Sequence, residues 1–342
     1  MTSLVEQPAY AERYGKNELN FARTTEGANV LACMPFADEL SQFDRLEYLA
    51  IAGAGQILDT LALVETQNPG SIERVDLIDY NPCQLLCVAR MLWAVASSDT
   101  CDNARNRLLT ATPTDVEHEW HAIFQTFPDL TALRKHKGIR WDAFNRNLAG
   151  TCNDRPRDAG IPLSHVSPQS LRQYVLQNDQ LFGALKGLVI RQPRVFHFHE
   201  ASFEHFTHPE GRTYQAIYGS DIHAWTSETA LLGTLQSQLA PGGMAMFTLY
   251  GSTTPEEDEE HRKRDTSFLA EIRASDAFVQ IIYTPLDIQQ RLETVKAMLN
   301  IENGAPWEQF VLDGSGGLPV KQTNVLRLVK KEEKSGSTSG MA

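Results

Sequence analysis

The alternation of apolar and polar positions along this chain predicts strands that are followed by helices. Residues 46–53, LEYLAIAG, form an apolar run that stops at glycine, which predicts a buried strand. The next residues, ILDTLALVETQ, have helical spacing and end near a proline–glycine turn. Residues 74–80 predict a second strand, and residues 83–98 predict an amphipathic helix. This order of elements predicts parallel pairing with a right-handed crossover.

The same rhythm returns in the second half of the chain. Apolar runs predict five further strands, at 194–200, 213–219, 244–251, 277–285 and 324–331. Two helices are predicted between them, at 227–239 and 287–299. We therefore predict one α/β domain with a seven-stranded, mostly parallel sheet, over residues 46–98 and 194–331.

The block between the second and third strands, residues 99–193, is polar and mostly helical and lacks this rhythm. Because long insertions in compact domains tend to be functional, we predict a helical cap insertion over a ligand site. Residues 1–45 are predicted to form an N-terminal lid or lead-in, and residues 332–342 a flexible tail.

Composition and charge narrow the class of protein. With 42% hydrophobic and 22% charged residues, the chain has the composition of a globular protein. A formal net charge of −12 disfavours nucleic acid or an anionic membrane as the main partner. No apolar run reaches the roughly 18 residues of a membrane span, and no signal pattern is found, so a cytoplasmic protein is predicted. The five cysteines include no C-x-x-C pair and indicate neither a disulfide framework nor a zinc knuckle. No oligomeric state is predicted.

The first predicted strand ends in a glycine-rich turn, Ala52-Gly53-Ala54-Gly55. Two glycines spaced G-x-G allow a tight turn and a close approach of the backbone to a ligand. The third glycine of a dinucleotide-binding fingerprint would stand at position 58, which is Leu58 in this chain. A pyrophosphate needs backbone contact at the helix N-terminus, whereas S-adenosylmethionine (SAM) carries no phosphate. The turn therefore favours SAM as the cofactor.

An acidic residue, Asp79, closes the second predicted strand. A carboxylate at this point is well placed to accept hydrogen bonds from ribose hydroxyls. Its alternative role is a helix cap, because Asp79 precedes Asn81-Pro82 and a predicted helix start. A P-G-G turn before the fifth strand completes an order of signals typical of class I SAM-dependent enzymes. The residues predicted to bind the cofactor are Ala52, Gly53, Ala54, Gly55, Asp79, Tyr80, Asn81, Gln84, Ser202, Phe203 and Ser220.

Three segments carry a narrower resemblance: VDLIDYNPCQLLCVARML (75–92), VFHFHEASFEHF (195–206) and IYGSDIHAWTS (217–227). They resemble the 3-amino-3-carboxypropyl transferases of the betaine-lipid synthase type, a group of class I SAM-dependent enzymes. Asp221 stands where that family has asparagine, and Ser202 where such enzymes often have an acid for the adenine amine.

This resemblance implies the Rossmann-like class I SAM-dependent methyltransferase fold. It also implies attack on Cγ of the methionine chain of SAM, with release of 5'-methylthioadenosine. A small related group cyclises SAM itself to azetidine-2-carboxylate, and the compact length favours that activity here. Transfer of the 3-amino-3-carboxypropyl group to an external acceptor, ordinary methyl transfer and non-catalytic SAM binding stay open as alternatives.

The candidate catalytic residues are Asp221, Tyr174 and Tyr14. Asp221 ends the fourth predicted strand and faces the crevice where such sheets bind ligands, so we predict that it holds or deprotonates the SAM amine. Its alternative role is to cap the next helix. Tyr174 and Tyr14, with Trp225, are predicted to lay aromatic faces against the sulfonium. Core packing is the alternative for each ring.

Four histidines crowd residues 197–208: His197, His199, His205 and His208. An H-x-H pattern on a strand places two imidazoles on one face, as a metal pair would require. No carboxylate spacing of a known metal motif accompanies them, so packing is the favoured role and no metal is predicted.

Overall fold

Seven strands form a single sheet. They are β1 (Leu46–Ile51), β2 (Ile72–Asp79), β3 (Phe196–Glu200), β4 (Tyr214–Ser220), β5 (Leu239–Leu249), β6 (Phe278–Tyr283) and β7 (Asn324–Lys330). Their order in the sheet is β3-β2-β1-β4-β5-β7-β6. The neighbours from β3 to β5 are parallel, and β7 runs antiparallel to both β5 and β6. This order with one reversed strand is that of the Rossmann-like class I SAM-dependent methyltransferase fold, so the predicted fold class is confirmed.

The computed structural model describes residues 34–53, 55, 57–149, 174–220, 226–249, 255–301 and 324–332. The α-helices in them are α1 (Ala37–Leu40), α2 (Ile57–Gln67), α3 (Pro82–Ser97), α4 (Cys101–Thr110), α5 (Pro113–Thr126), α6 (Trp141–Leu148), α7 (Asp179–Arg191), α8 (Glu228–Gln238), α9 (Pro255–Ser275) and α10 (Pro285–Met298). Short 3-10 helices cover Met34–Phe36, Pro128–Lys135, Tyr174–Leu176, Pro193–Val195 and Phe203–His205. Among these helices, none is long and apolar enough to cross a bilayer.

The sheet buries a hydrophobic cluster on each face. One cluster joins Tyr48 and Val75 to α2, α3 and α7. The other joins Leu49, Ile217 and Phe247 to α8 and α9. Because neighbouring residues of a strand point to opposite faces, Tyr48 and Leu49 assign the two clusters to the two sides of β1.

The helical insertion between β2 and β3 shares its core with the sheet. Its last helix, α7, packs on α2 and α3, and Leu185 of α7 lies in the same cluster as Val75. Trp120 of α5 also belongs to that cluster and donates its indole N–H to Asn145 Oδ1 at 2.9 Å. The domain boundaries at 45, 99 and 193 stay predictions, and residues 1–33 and 333–342 lie outside the described part of the chain.

Two predicted strand ends are wrong, for local reasons. The Pro241-Gly242-Gly243 turn lies inside β5 rather than before it, because Leu239 and Met244 on either side both pair with β4 across a bulge. The predicted strand 277–285 ends at Tyr283, because Thr284 forms a capping box and Pro285 begins α10.

The connection from β3 to β4 has to pass β2 and β1, since the strand order is β3-β2-β1-β4. Residues 201–213 make this passage with one 3-10 turn, Phe203–His205, and no α-helix. Phe203 and Phe206 pack in the cluster that contains Leu49 and Ile78. We call this segment the crossover. It covers one face of the sheet at β2 and β3, and the rest of the same face lies under α8 and α9.

Candidate functional site

The backbone brings the ends of β1, β2 and β3 to one edge. Ala52 N–H donates to Ile78 O at 2.9 Å, and Ala201 N–H donates to Asp79 O at 3.2 Å. Ligands of open parallel sheets bind in the crevice outside the carboxyl ends of the strands. The glycine turn after β1, Asp79 at the end of β2 and the segment after β3 therefore share the edge at which a ligand is expected.

The Asp79 carboxyl is buried within this edge. Its Oδ1 accepts Asn81 N–H at 2.8 Å, and the carboxyl also accepts a hydrogen bond from Gly53 N–H. Burial raises the pKa of Asp79 to about 7, although the two backbone hydrogen bonds act to lower it. Asp79 thus ties the end of β2 to the glycine turn and changes charge near neutral pH.

The helix cap of α3 is Asn81. Its Oδ1 accepts Cys83 N–H at 3.0 Å, and Pro82 stands at the first helical position. The capping role considered for Asp79 is therefore taken by its neighbour two residues on.

The glycine turn needs glycine at position 55 for two reasons. Gly53 and Gly55 have φ angles of +46° and +84°, in the region that favours glycine. In addition, a Cβ on Gly55 would lie 3.2 Å from Cε of Met91, which is on α3. The absence of a Cβ at Gly55 therefore allows the turn to pack closely against α3.

The other predicted cofactor residues lie near the same strand ends. Gln84 is buried in the first turn of α3, Tyr80 and Ser202 are half-buried, and Ser220 ends β4. Phe203 is buried in the core cluster with Ile78. Their contacts with a ligand stay predictions. Tyr14, Ala54, Asp221 and Trp225 lie outside the described residues.

Tyr174, the catalytic candidate that the structure describes, is buried in the core beside α2. It belongs to the cluster that contains Val75 and hydrogen-bonds to the side chain of Asn178. Burial raises the pKa of the Tyr174 hydroxyl. Contact between its ring and a sulfonium stays a prediction.

A buried acid on α2, Asp59, is a residue that the sequence analysis missed. Its side chain is fully buried, and Oδ1 accepts Val175 N–H at 2.6 Å. Tyr174 N–H donates to the same carboxyl. Burial raises the pKa of Asp59 to about 7, although these two backbone donors lower it. The available signal was an acid in the first turn of a helix that is otherwise apolar, ILDTLALVE.

Three of the four histidines at 197–208 pair with separate carboxylates instead of converging on one point. His197 Nδ1 lies 3.1 Å from Asp129 Oδ2, and His208 Nε2 lies 3.1 Å from Glu47 Oε2. His199 Nε2 lies 2.5 Å from Asp76 Oδ1. In the part of the chain that the structure describes, no three His, Cys, Asp or Glu side chains are grouped to hold a metal ion.

Asp76 lies at the centre of a buried polar cluster, the Asp76 network, which comprises Arg74, Asp76, His199 and Tyr214. Arg74 donates from Nε at 2.5 Å and from Nη2 at 2.9 Å, and the Tyr214 hydroxyl donates at 2.8 Å. Burial acts to raise the pKa of Asp76, but hydrogen bonds from His199, Arg74 and Tyr214 hold it well below its usual range. Arg74 also pairs with Glu210 of the crossover at 3.1 Å. The network therefore connects β2, β3 and β4, and the Arg74–Glu210 pair links it to the crossover.

No family model and no curated protein matches this chain. Solved structures with partial likeness include the N-methyltransferase NodS from Bradyrhizobium japonicum, at 8% identity over 86% of each chain with a TM-score of 0.32. The plantazolicin methyltransferase BpumL is 11% identical over 95% of this chain and 88% of its own, with a TM-score of 0.37. A Haemonchus contortus phosphoethanolamine N-methyltransferase is 16% identical over 45% of this chain, with a TM-score of 0.25. This chain spans only 41% of that protein's length. With TM-scores of this size, the fold assignment rests on the strand order and not on these likenesses.

Proposed function

We propose that this chain is a SAM-dependent enzyme whose SAM site lies at the carboxyl edge of β1, β2 and β3. The observation that carries the proposal is the buried Asp79 carboxyl, which is hydrogen-bonded to Gly53 N–H of the glycine turn. In this fold an acid beside the turn is suited to accept the ribose hydroxyls of the ligand. The residue at position 58 is leucine, so the glycine spacing of a dinucleotide site is absent there.

The residues at this edge fit SAM chemically. Gly53 and Gly55, with φ angles of +46° and +84°, give the turn the tight backbone that close contact with such a ligand requires. Burial holds the pKa of Asp79 at about 7, and hydroxyl donors from a ligand would favour its ionised form. A ligand with two adjacent hydroxyl groups would therefore stabilise the ionised Asp79 carboxyl most.

The reaction we propose is attack on Cγ of the methionine chain. The sulfonium of SAM activates both its methyl carbon and Cγ, and positioning decides which carbon reacts, since near-attack geometry is worth about 7–11 kcal/mol at best. Segments 75–92, 195–206 and 217–227 support Cγ, because they resemble the 3-amino-3-carboxypropyl transferases.

Within Cγ chemistry we propose cyclisation of SAM to azetidine-2-carboxylate. The α-ammonium first gives its proton to a base, for which we propose Asp221. The neutral amine nitrogen then bonds to Cγ, the Cγ–S bond breaks, and its electron pair stays on sulfur, giving neutral methylthioadenosine. A four-membered ring is strained, so the site has to hold a folded chain and exclude water, which would give homoserine. Tyr174 and Tyr14 are the proposed aromatic contacts of the sulfonium.

The test is to mix the pure chain with SAM, without any acceptor, and to identify the products by mass spectrometry. We expect methylthioadenosine and azetidine-2-carboxylate in equal amounts. If SAM stays intact until an acceptor is added and methylthioadenosine then forms, the activity is aminocarboxypropyl transfer instead of cyclisation. If S-adenosylhomocysteine is the product, the chain is a methyltransferase. No binding of SAM by calorimetry would overturn the whole proposal.

A further inference from the structure

Asp59 lies where the helical insertion meets the sheet domain, and it has no role in the reaction proposed above. It stands in the first turn of α2, immediately after the glycine turn. The segment it contacts, Tyr174–Leu176, comes just before α7, the last helix of the insertion. Because α7 packs on α2 and α3, this segment is where the insertion returns to the sheet domain.

The contact between the two segments is made by backbone donors and one carboxyl. The first N–H groups of a helix have no acceptor within that helix. In the 3-10 helix Tyr174–Leu176, the N–H groups of Tyr174 and Val175 are accepted by Asp59, the second at 2.6 Å. Asp59 therefore caps this short helix from a point 116 residues earlier in the chain.

Such a contact is energetically demanding. The Asp59 side chain is fully buried, and its Oδ2 has no hydrogen-bond partner among the described residues. A buried polar atom without a partner destabilises the fold. A leucine would avoid this penalty on an apolar helix face, so what the carboxyl provides is the hold on the Tyr174–Val175 backbone.

We propose that Asp59 is a positioning residue of the SAM site. By binding the Tyr174–Val175 backbone to the first turn of α2, it fixes the return of the insertion, and Tyr174 with it, relative to the Gly53–Gly55 turn. We call the hydrogen bonds from the Tyr174 and Val175 N–H groups to Asp59 the tether. The effect of Asp59 on SAM binding rests on the proposed function, whereas the tether itself does not depend on it.

The tether is tested by hydrogen exchange of the full chain, read at the Val175 amide. In the wild type we expect strong protection, although this amide has no acceptor within its own helix. Asp59→Ala removes the acceptor and should speed exchange at Val175 about tenfold or more. Asp59→Asn keeps a carbonyl oxygen and should stay within about threefold of the wild type. Thr60→Val is the matched control, because Thr60 is fully buried beside Asp59 and its hydroxyl has no partner among the described residues.

The consequence for SAM is tested by calorimetry on the same variants. We expect affinity to fall about tenfold in Asp59→Ala, and to stay within about threefold in Asp59→Asn and Thr60→Val. If Asp59→Ala loosens Val175 but binds SAM as tightly as the wild type, the positioning role is overturned. It is also overturned if Asp59→Asn behaves like Asp59→Ala, or if SAM affinity falls while Val175 exchange is unchanged.

Two further outcomes separate the tether from the proposed function. If Asp59→Ala does not fold, an unprotected Val175 amide in the wild type still overturns the proposal. If the wild type binds no SAM while Val175 responds as expected, the proposed function and the role of Asp59 in it are overturned together, and only the structural tether stands.

Discussion

The Asp76 carboxylate accepts the Tyr214 hydroxyl at 2.8 Å, which joins β2 to β4 across the intervening strand β1. Arg74 and His199 hydrogen-bond to the same carboxylate. Burial acts to raise its pKa, but these three donors hold the pKa of Asp76 well below its usual range. The ionised form therefore contributes stability above the pKa of an unfolded aspartate, about 4, and loses it only as the pH falls through the lower folded value.

Asp76→Ala should destabilise the fold by about 3–5 kcal/mol, because it leaves the Arg74 guanidinium buried without its main partner. Denaturant unfolding near neutral pH measures this. Glu73→Ala is the control, since it breaks only the exposed Arg45–Glu73 pair and should change stability by about 0–1 kcal/mol. Equal losses in the two variants would contradict the central role of Asp76.

Asp79→Ala should weaken SAM binding by about 2–3 kcal/mol, the loss of charge-assisted hydrogen bonds. Ribose hydroxyls favour the ionised carboxyl, and the pKa of Asp79 is about 7. SAM affinity should therefore fall by up to about tenfold per pH unit below that value and level off above it. Calorimetry at a series of pH values around 7 measures this dependence of SAM affinity on pH. Asp79→Asn should bind SAM weakly, and its affinity should not depend on pH over the same range. A wild-type affinity that does not change with pH would show that Asp79 does not bind the ligand in its ionised form.

Gly55→Ala and Gly70→Ala form a matched pair, since their φ angles are +84° and +85°. Alanine in this left-handed region costs roughly 1–2 kcal/mol at either position. Only at Gly55 would the new Cβ also crowd Met91, at 3.2 Å, whereas the space at Gly70 is open. We expect a larger loss of stability and weaker SAM binding in Gly55→Ala, and wild-type affinity in Gly70→Ala. If Gly55→Ala and Gly70→Ala bound SAM equally well, the glycine turn would not be part of the SAM site.

Asp59 affects stability with the opposite sign to Asp76. Its folded pKa is raised to about 7 by burial, so its neutral form contributes stability that is complete below about pH 4 and lost as the pH rises through 7. Asp79 adds a contribution of the same sign. Asp59→Asn has no charge to bury and should flatten the fall of Tm over this range. Thermal unfolding at a series of pH values measures it, and a slope equal to that of Thr60→Val would refute the prediction.

Asp221→Asn should lower kcat more than it raises KM, because the variant loses the proton acceptor but keeps most of the side-chain shape. Steady-state production of methylthioadenosine measures both constants. An unchanged kcat would exclude Asp221 as the base, and a change in KM alone would leave it only a binding role.

The sheet and its edge could be predicted from the sequence because their signals are local. Parallel strands covered on both faces are continuous apolar runs, and LEYLAIAG is followed at once by the glycine turn. Asp79 could be singled out because it closes the next run. The bulge in β5 could not, since proline and glycines mark a turn between strands as readily as a bulge within one.

Asp59 and Asp76 escaped prediction because their partners are distant in the chain. Val175 lies 116 residues from Asp59, and Tyr214 lies 138 residues from Asp76. No periodicity within a strand or helix reports such a pairing. The only local trace was a charged residue at a position where the apolar pattern predicts burial.

The crossover makes the two sides of one sheet face respond differently to temperature. Under α8 and α9 the face is held by apolar contacts, whose contribution weakens on cooling. Under the crossover the apolar contacts of Phe203 and Phe206 are joined by the Asp76 network, and the penalty for removing charges from water becomes smaller as temperature rises. Cooling should therefore loosen the helix-covered side first, while on heating the charged side becomes the more persistent of the two.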